Sequence, residues 1–209
     1  MKILFYGDSI TDAGRNREVD FQEDSYGGGY VKEAKNELLA KNPEHVIYNR
    51  GISGDRIVDI YARIKKDVWN LEPEFLSILI GVNDVWHEIE FQNGVELERF
   101  ERLYRMLLQD TLEKLPNLKI VLCEPFILHG TATDERWERF LEVKEYAKVA
   151  KKLADELGLY FLPLQDALDK AAAENGLNYC AADGVHPSPE GAKVIANEWT
   201  KFFHEQIEK

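Results

Sequence analysis

The chain has 209 residues, and a hydrophobic content of 44% is enough to bury the core of one α/β domain, so we expect a single domain over residues 1–209. Its net charge of −12 would repel nucleic-acid phosphates and anionic membranes, and we expect neither as a partner. The two cysteines are too few for a disulfide scaffold, and their spacing fits no zinc-binding pattern.

The N-terminus leads from Met1 and Lys2 directly into a short apolar run at residues 3–6. This run is much shorter than the apolar region of a signal peptide, and no small-residue cleavage site follows it. No apolar run approaches the roughly 20 residues of a membrane-spanning helix. We therefore expect a cytoplasmic protein.

Five apolar runs of strand length alternate with segments of helical periodicity. The strand-like runs lie at residues 3–6, 46–48, 75–80, 119–123 and 160–164. Apolar residues recur at helical spacing in four intervening segments, at residues 30–39, 57–68, 97–107 and 140–150. A last helix is predicted from Ser188, a suitable N-cap, and Pro189, a favoured first residue. Because crossovers between parallel strands are right-handed, this order predicts an α/β protein with three layers, α/β/α, around a flavodoxin-like five-stranded parallel sheet.

Small polar segments follow the first three strands, at residues 7–9, 51–54 and 81–84. Since the carboxyl ends of parallel strands meet at one edge of a sheet, these segments are expected to converge there. The loop at residues 182–187 precedes the last helix and can fold over the same edge. We therefore expect one site at this edge.

These segments contain the groups that acyl transfer needs. The hydroxyl of Ser9 can act as nucleophile if His186 takes its proton, and Asp183 can hold the imidazole in the required tautomer. The negative charge of the tetrahedral intermediate needs fixed N–H donors. Backbone N–H groups of Ser9 and Gly54 and the side-chain amide of Asn83 can supply them, and a glycine at position 54 lets the backbone approach closely.

Each of these residues also has an interpretation without catalysis. Asp8 and Ser9 are common helix caps. Asn83 can be a turn residue, and we interpret Asp84 in that way. His186 can be an ordinary loop histidine, but its offset from an acid and the serine at the same edge favour the catalytic interpretation.

Two other classes of function remain open. Asp8, Asp12 and Asp84 at one sheet edge can in principle hold Mg²⁺ in a metal-dependent phosphohydrolase, although that leaves His186 and Gly54 without a role. A noncatalytic sugar-binding module would hold its ligand in the same cleft without turnover. The other histidines show no ligand-like spacing, so we expect no metal and no cofactor.

Four segments in chain order resemble the four sequence blocks of the SGNH hydrolases, also called GDSL esterases. They are GDSIT (7–11), GISGD (51–55), GVND (81–84) and DGVH (183–186). The resemblance implies that Ser9 is the nucleophile, His186 the base and Asp183 its partner. It also implies that Ser9, Gly54 and Asn83 form the oxyanion hole.

Three further stretches are similar to bacterial cytoplasmic acetylxylan esterases and related carbohydrate deacetylases: NRGISG (49–54), IGVNDVW (80–86) and CEPF (123–126). This likeness implies a small acetylated oligosaccharide as substrate, and homo-oligomers are common in the subfamily. A lysophospholipase or acyl-thioesterase of the same family is the alternative. Polar or small loops at residues 12–24, 88–94 and 130–136 favour a short acyl group. Trp86 is expected to bind substrate, by stacking on a sugar or closing the acyl pocket, or else to pack in the core.

Overall fold

The computed structural model describes residues 1–208. Residue 209, which ends the predicted domain, lies outside the described residues. The strands are β1 (Lys2–Gly7), β2 (Val46–Gly51), β3 (Phe75–Leu79), β4 (Lys119–Cys123) and β5 (Tyr160–Leu162). The helices are α1 (Ser9–Asp12), α2 (Tyr30–Lys41), α3 (Ile57–Asp67), α4 (Val82–Phe91), α5 (Leu97–Lys114), α6 (Trp137–Phe140), α7 (Val143–Leu157), α8 (Gln165–Asn175) and α9 (Pro189–Gln206).

The five strands form one sheet in the order β2-β1-β3-β4-β5, and every neighbouring pair is parallel. The predicted flavodoxin-like sheet is therefore confirmed. The two central strands β1 and β3 are apolar almost throughout because helices cover both faces of the sheet. The buried hydroxyl of Ser77 in β3 accepts a hydrogen bond from Nε1 of Trp199 at 2.9 Å, which satisfies both polar groups within the core.

The helices divide between the two faces according to the direction of each crossover. Helix α2 takes the chain from β1 outward to β2, whereas α3, α5 and α7 lead it toward the opposite edge. Right-handed crossovers therefore place α2 on one face and the other three helices on the other. Helix α9 packs against α2 and α8. The predicted three-layer arrangement is confirmed, and in residues 1–208 no helix is long and apolar enough to cross a membrane.

The segment after β3 differs from the prediction. Asn83 and Asp84 lie in the first turn of α4, so the interpretation of Asp84 as a turn residue is wrong. Val82, Val85 and Ile89 are buried at helical spacing, which was the available sequence signal. At the C-terminus the prediction is confirmed, since Ser188 caps α9 by accepting a hydrogen bond from the N–H of Gly191 at 3.0 Å.

Candidate active site

Ser9 lies where β1 gives way to α1. The strand ends at Gly7, and the side chain of Asp8 caps the helix by accepting a hydrogen bond from the N–H of Ile10 at 3.0 Å. Because Asp8 performs the capping, the hydroxyl of Ser9 is free for another contact. That hydroxyl lies 2.9 Å from Nε2 of His186.

Asp183 and His186 occupy a tight loop before α9. Oδ1 of Asp183 accepts hydrogen bonds from the N–H groups of Val185 at 2.9 Å and His186 at 2.8 Å. Its other oxygen, Oδ2, lies 2.6 Å from Nδ1 of His186. Since a carboxylate only accepts, Nδ1 carries the proton and Nε2 is left to accept the proton of the Ser9 hydroxyl. The structure thus brings the predicted serine, histidine and aspartate into one hydrogen-bonded row.

Hydrogen bonds within the site set the protonation states of Asp183 and His186. Partial burial would raise the pKa of Asp183, but the bond from His186 and the two backbone donors outweigh it and lower the pKa to about 2. The same bond raises the pKa of His186 above its ordinary 6.5, against the lowering effect of burial and with help from the charges of Asp183 and Asp8. Asp183 is therefore ionised at neutral pH and stabilises a protonated imidazole.

The predicted oxyanion donors come from three elements. One amide hydrogen of Asn83 is donated to the carbonyl oxygen of Asp55, with an N···O distance of 3.1 Å, and the second hydrogen remains. This bond ties α4 to the loop that carries Gly54. As the first residue of α1, Ser9 has an N–H group without an intrahelical acceptor. Within residues 1–208, the N–H of Gly54 also has no backbone acceptor.

The backbone conformation at position 54 gives a second reason for glycine, besides the close approach to an oxyanion that we expect. Its φ angle is +87°, in the left-handed region that side chains disfavour. A Cβ atom built there would meet nothing within 4 Å. The protein thus leaves the space beside Gly54 open, and close approach of its backbone to an oxyanion stays a prediction.

Two further aspartates next to the predicted site residues are fully buried, Asp8 and Asp84. Oδ2 of Asp8 has no hydrogen-bond partner among the described residues, whereas Oδ1 of Asp84 accepts from the N–H of Ile57 at 3.0 Å. Burial raises the pKa of Asp8 to about 7. Burial also raises the pKa of Asp84 well above its ordinary range, and the nearby Asp8 adds to that effect.

The three carboxyl groups of the alternative Mg²⁺ site have separate partners. Asp8 and Asp84 cap helices, as described above. Asp12 accepts a hydrogen bond from the N–H of Ser53 at 2.9 Å and pairs with Arg17. In the described part of the chain, no group of three His, Cys, Asp or Glu side chains is placed to hold a metal ion. The arrangement of these carboxyl groups does not fit the metal hypothesis.

A small cavity of about 230 Å³ opens beside the hydroxyl of Ser9. Its walls carry few bulky side chains, and the lining residues are Ser9, Ile10, Ala13, Gly28, Gly29, His186 and Pro187. Three larger cavities, of about 320, 400 and 430 Å³, are lined by other parts of the chain. The cavity at Ser9 is smaller than the pockets that hold drug-sized ligands, so it suits a small group.

Trp86 lies against the imidazole and does not line this cavity. Its ring centroid is 5.8 Å from that of His186 and 5.8 Å from that of Phe140. The side chain is half-buried, so it combines packing on Phe140 with an exposed part beside the base. A role in binding substrate stays a prediction for Trp86.

The loop that carries Asp183 is held by a second loop, residues 128–134, which overlaps the segment 130–136 that we interpret only as polar. Three main-chain hydrogen bonds of 2.9, 3.1 and 3.1 Å join them, from Leu128 to Gly184, Thr131 to Ala182 and Ala132 to Asp183. The two backbones are so close that a Cβ atom on Gly130 would lie 2.2 Å from the nitrogen of Gly184. The glycine at position 130 was the available signal of this close approach.

Comparison with known proteins agrees with this geometry. The model of the GDSL-like lipase/acylhydrolase family matches residues 5–194. The acetylxylan esterase of Geobacillus stearothermophilus is 35% identical over 208 residues, which cover 96% of this chain and 92% of that protein.

Solved structures give the same result. A crystal structure of that acetylxylan esterase superposes with a TM-score of 0.84 at 33% identity, covering 96% of this chain and 92% of the other. A Parabacteroides merdae protein assigned as a GDSL-like lipase gives a TM-score of 0.91 at 40% identity, covering 96% and 94%. The chain therefore belongs to the GDSL-like lipase/acylhydrolase family and is a carboxylic ester hydrolase.

Proposed function

We propose that this protein is a serine esterase that removes acetyl groups from the hydroxyls of short oligosaccharides. The observation that carries the proposal is the row from Ser9 through His186 to Asp183, with contacts of 2.9 and 2.6 Å. The relative from Geobacillus stearothermophilus is an acetylxylan esterase, and its catalytic mutants have alanine in place of a serine or an aspartate. This supports both the acetyl ester and the two residue types.

In the proposed first half-reaction, Nε2 of His186 takes the hydroxyl proton of Ser9 while Oγ attacks the carbonyl carbon of the acetyl ester. Asp183 holds Nδ1–H and stabilises the imidazolium that forms. The C–O bond to the sugar then breaks, and the imidazolium gives its proton to the departing sugar oxygen. The product of this half-reaction is an acetyl-serine.

In the second half-reaction, His186 takes a proton from water, and the resulting hydroxide adds to the acetyl-serine carbonyl. The bond to Ser9 Oγ breaks, and the proton returns to that oxygen, so acetate leaves. In both halves, the N–H groups of Ser9 and Gly54 and the free amide hydrogen of Asn83 face the developing oxyanion. These donors are already fixed in place, and they therefore lower the barrier without reorganisation.

The small cavity supports a short acyl group. Its volume of about 230 Å³ and its short lining side chains leave room for a methyl group beside the ester carbonyl. A long acyl chain would need an apolar groove leading away from Ser9. The net charge of −12 also disfavours adsorption to anionic lipid surfaces.

The proposed partner is thus a small acetylated carbohydrate, met in the cytoplasm after uptake of the oligosaccharide. Neither a nucleic acid nor a membrane is part of the proposal. A homo-oligomer is the proposed assembly, which sedimentation of the purified protein would test. Fractionation of the source cells would test the location.

Replacement of the nucleophile tests the proposed chemistry. Ser9→Ala is expected to lower turnover of nitrophenyl acetate by several orders of magnitude, as loss of a catalytic serine does in other hydrolases. The matched control is Ser53→Ala, which removes a hydroxyl from the neighbouring exposed loop. If Ser9→Ala keeps more than a few per cent of wild-type turnover at an unchanged melting temperature, Ser9 is not the nucleophile.

A series of nitrophenyl esters tests the acyl preference. We expect kcat/KM to fall steeply from acetyl to butyryl and to be almost lost at octanoyl, because each added methylene must overlap protein atoms. A rate that rises with chain length would instead identify a lysophospholipase or acyl-thioesterase. Release of acetate from acetylated xylo-, manno-, cello- and chito-oligosaccharides then ranks the sugars, and Trp86→Ala on the preferred sugar tests whether Trp86 contacts it.

A further inference from the structure

Arg15 is a buried cation without a paired carboxylate. Only 9% of its surface is exposed, and its Nε donates a hydrogen bond to the carbonyl oxygen of Gly51 at 2.9 Å. Among residues 1–208, no carboxylate oxygen lies within 4.0 Å of its guanidinium nitrogens, and its two terminal nitrogens donate to no described residue. Neither terminal nitrogen is among the buried polar atoms that lack a hydrogen-bond partner in residues 1–208, so these free donors reach solvent and are available to a ligand.

Arg15 lines a cavity of about 430 Å³ together with three other cations, Arg17, Arg50 and Lys66. Arg17 and Arg50 each pair with an aspartate, whereas Lys66 is exposed and pairs with no carboxylate of residues 1–208. Four cations around one cavity are unusual in a chain with a net charge of −12. With the three acidic residues on the same walls, the lining carries a net charge of +1.

Acidic residues on the same walls cancel part of this charge. Asp20 and Asp67 line the cavity but form ion pairs with Arg50 and Arg63, at 2.6 and 2.7 Å. Glu18 also lies on the wall and is exposed to solvent. Burial lowers the pKa of Arg15, and the nearby Arg50 lowers it further; Asp12, which accepts a hydrogen bond from the backbone N–H of Arg15 at 3.1 Å, acts in the opposite sense. Among the described wall residues, Arg15 and Lys66 therefore remain unpaired cations, opposed by the one unpaired carboxylate of Glu18.

The cavity adjoins the proposed oxyanion loop. Arg15 is bonded to Gly51, and the next residue, Ile52, lines the cavity. Gly51 and Gly54 are three residues apart, a span of at most about 11 Å of extended chain. A wall residue of the cavity and the proposed oxyanion donor Gly54 therefore lie on one short loop.

We propose that the cavity binds an oxyanion of a ligand, a carboxylate or phosphate group, on the terminal nitrogens of Arg15 and on Lys66. A guanidinium offers parallel N–H donors that match two oxygens of such a group. This proposal rests on the proposed function for its preferred source, the carboxylate of a uronic acid branch on the acetylated oligosaccharide. Free phosphate has the same chemistry and is the second source.

Titration of the whole protein with glucuronate and with inorganic phosphate, at constant ionic strength, tests the site. We expect saturable binding of at least one of them, weakened about tenfold or more by Arg15→Gln because a charged hydrogen bond is lost. Lys66→Ala is expected to weaken binding severalfold, and it leaves the Arg15–Gly51 bond in place, so the test does not depend on the folding of Arg15→Gln. The matched control is Lys65→Ala, which removes the same charge one residue away from the cavity wall.

The source is decided by comparing kcat/KM for acetylated xylo-oligosaccharides with and without a uronic branch. A preference for the branched substrate that Lys66→Ala removes identifies the substrate carboxylate, whereas phosphate binding without such a preference identifies free phosphate. The site is refuted if neither anion binds saturably, or if Lys66→Ala and Lys65→Ala bind equally well. A protein that binds the anion but releases acetate from no oligosaccharide would refute the proposed substrate and leave the anion site intact.

Discussion

Asp183 and Asp8 both act on His186 through their charge, yet their surroundings are opposite. Asp183 keeps 31% of its side chain exposed and accepts three hydrogen bonds, one of them from the imidazole. Asp8 is fully buried, accepts one hydrogen bond from Ile10, and has a second oxygen without a described partner. The pKa of Asp183 is lowered to about 2, and that of Asp8 is raised to about 7.

The difference shows that hydrogen-bond donors and solvent exposure, more than residue type, decide whether a carboxyl group beside a base is ionised. Where three donors meet Asp183, the group stays ionised and can orient an imidazole. Where burial dominates, as at Asp8, the group gains a proton within the physiological pH range and serves mainly as a helix cap. Within one site, Asp183 therefore has an electrostatic role, whereas the role of Asp8 is mainly structural.

The largest expected effect is that of Asp183→Asn. An asparagine can donate to Nδ1 and thereby favour the imidazole tautomer whose Nε2 cannot accept the proton of Ser9, so kcat should fall by about 10³ to 10⁴. Steady-state turnover of nitrophenyl acetate measures it. The matched control is Asp8→Asn, which we expect to keep at least about a tenth of the wild-type kcat because the asparagine still caps Ile10. Equal losses in the two variants would contradict the comparison.

A smaller effect is expected for Asn83→Ala, which changes a buried residue of the proposed oxyanion hole. The variant loses a donor that faces charge present only in the transition state, so kcat should fall by about 10² to 10³ while KM changes little. The same ester assay measures both constants, and circular dichroism checks that α4 is retained. A changed KM with normal kcat would place Asn83 in substrate binding instead.

Stability should respond to pH through the buried carboxyl group. Because the pKa of Asp8 in the folded protein, about 7, exceeds the ordinary 3.8, the stability that the protonated form contributes is complete below 3.8 and is lost as the pH rises through 7. Asp8→Asn cannot ionise, so its stability relative to wild type should rise between pH 4 and pH 8 by about 1 to 4 kcal/mol. Urea unfolding at both values measures the difference, and a pH-independent difference would show that Asp8 does not titrate there.

The smallest effect concerns the acidic limb of the pH–rate profile. Activity should rise with pH as His186 loses its proton, with a midpoint above 6.5 in the wild type because Asp183 and Asp8 raise the pKa of the imidazole. Removing the charge of Asp8 should shift that midpoint to lower pH. The profile of kcat/KM for Asp8→Asn checks this, and an upward shift would mean that the charge of Asp8 does not reach the base.

Much of the fold followed from local patterns. The apolar run at residues 75–80 and the capping pair at Ser188 and Pro189 predict β3 and α9 because strand burial and helix capping depend on neighbours in sequence. Helix α4 is not among the predicted helices, since the residues Asn83 and Asp84 are also typical of turns. Phe140 was likewise assigned to the following helix, although it ends α6 and α7 begins at Val143.

The sequence by itself determined the order of strands and helices, and the segments that hold Ser9, Gly54, Asn83, Asp183 and His186, because periodicity and short motifs are written along the chain. Only the tertiary structure decided the state of each group. The opposite pKa shifts of Asp183 and Asp8, the bond from Asn83 to Asp55, and the free donors of Arg15 all depend on which distant residues approach. Desolvation and hydrogen bonding act over a few ångströms in space, and the separation of two residues along the chain does not show whether they come that close.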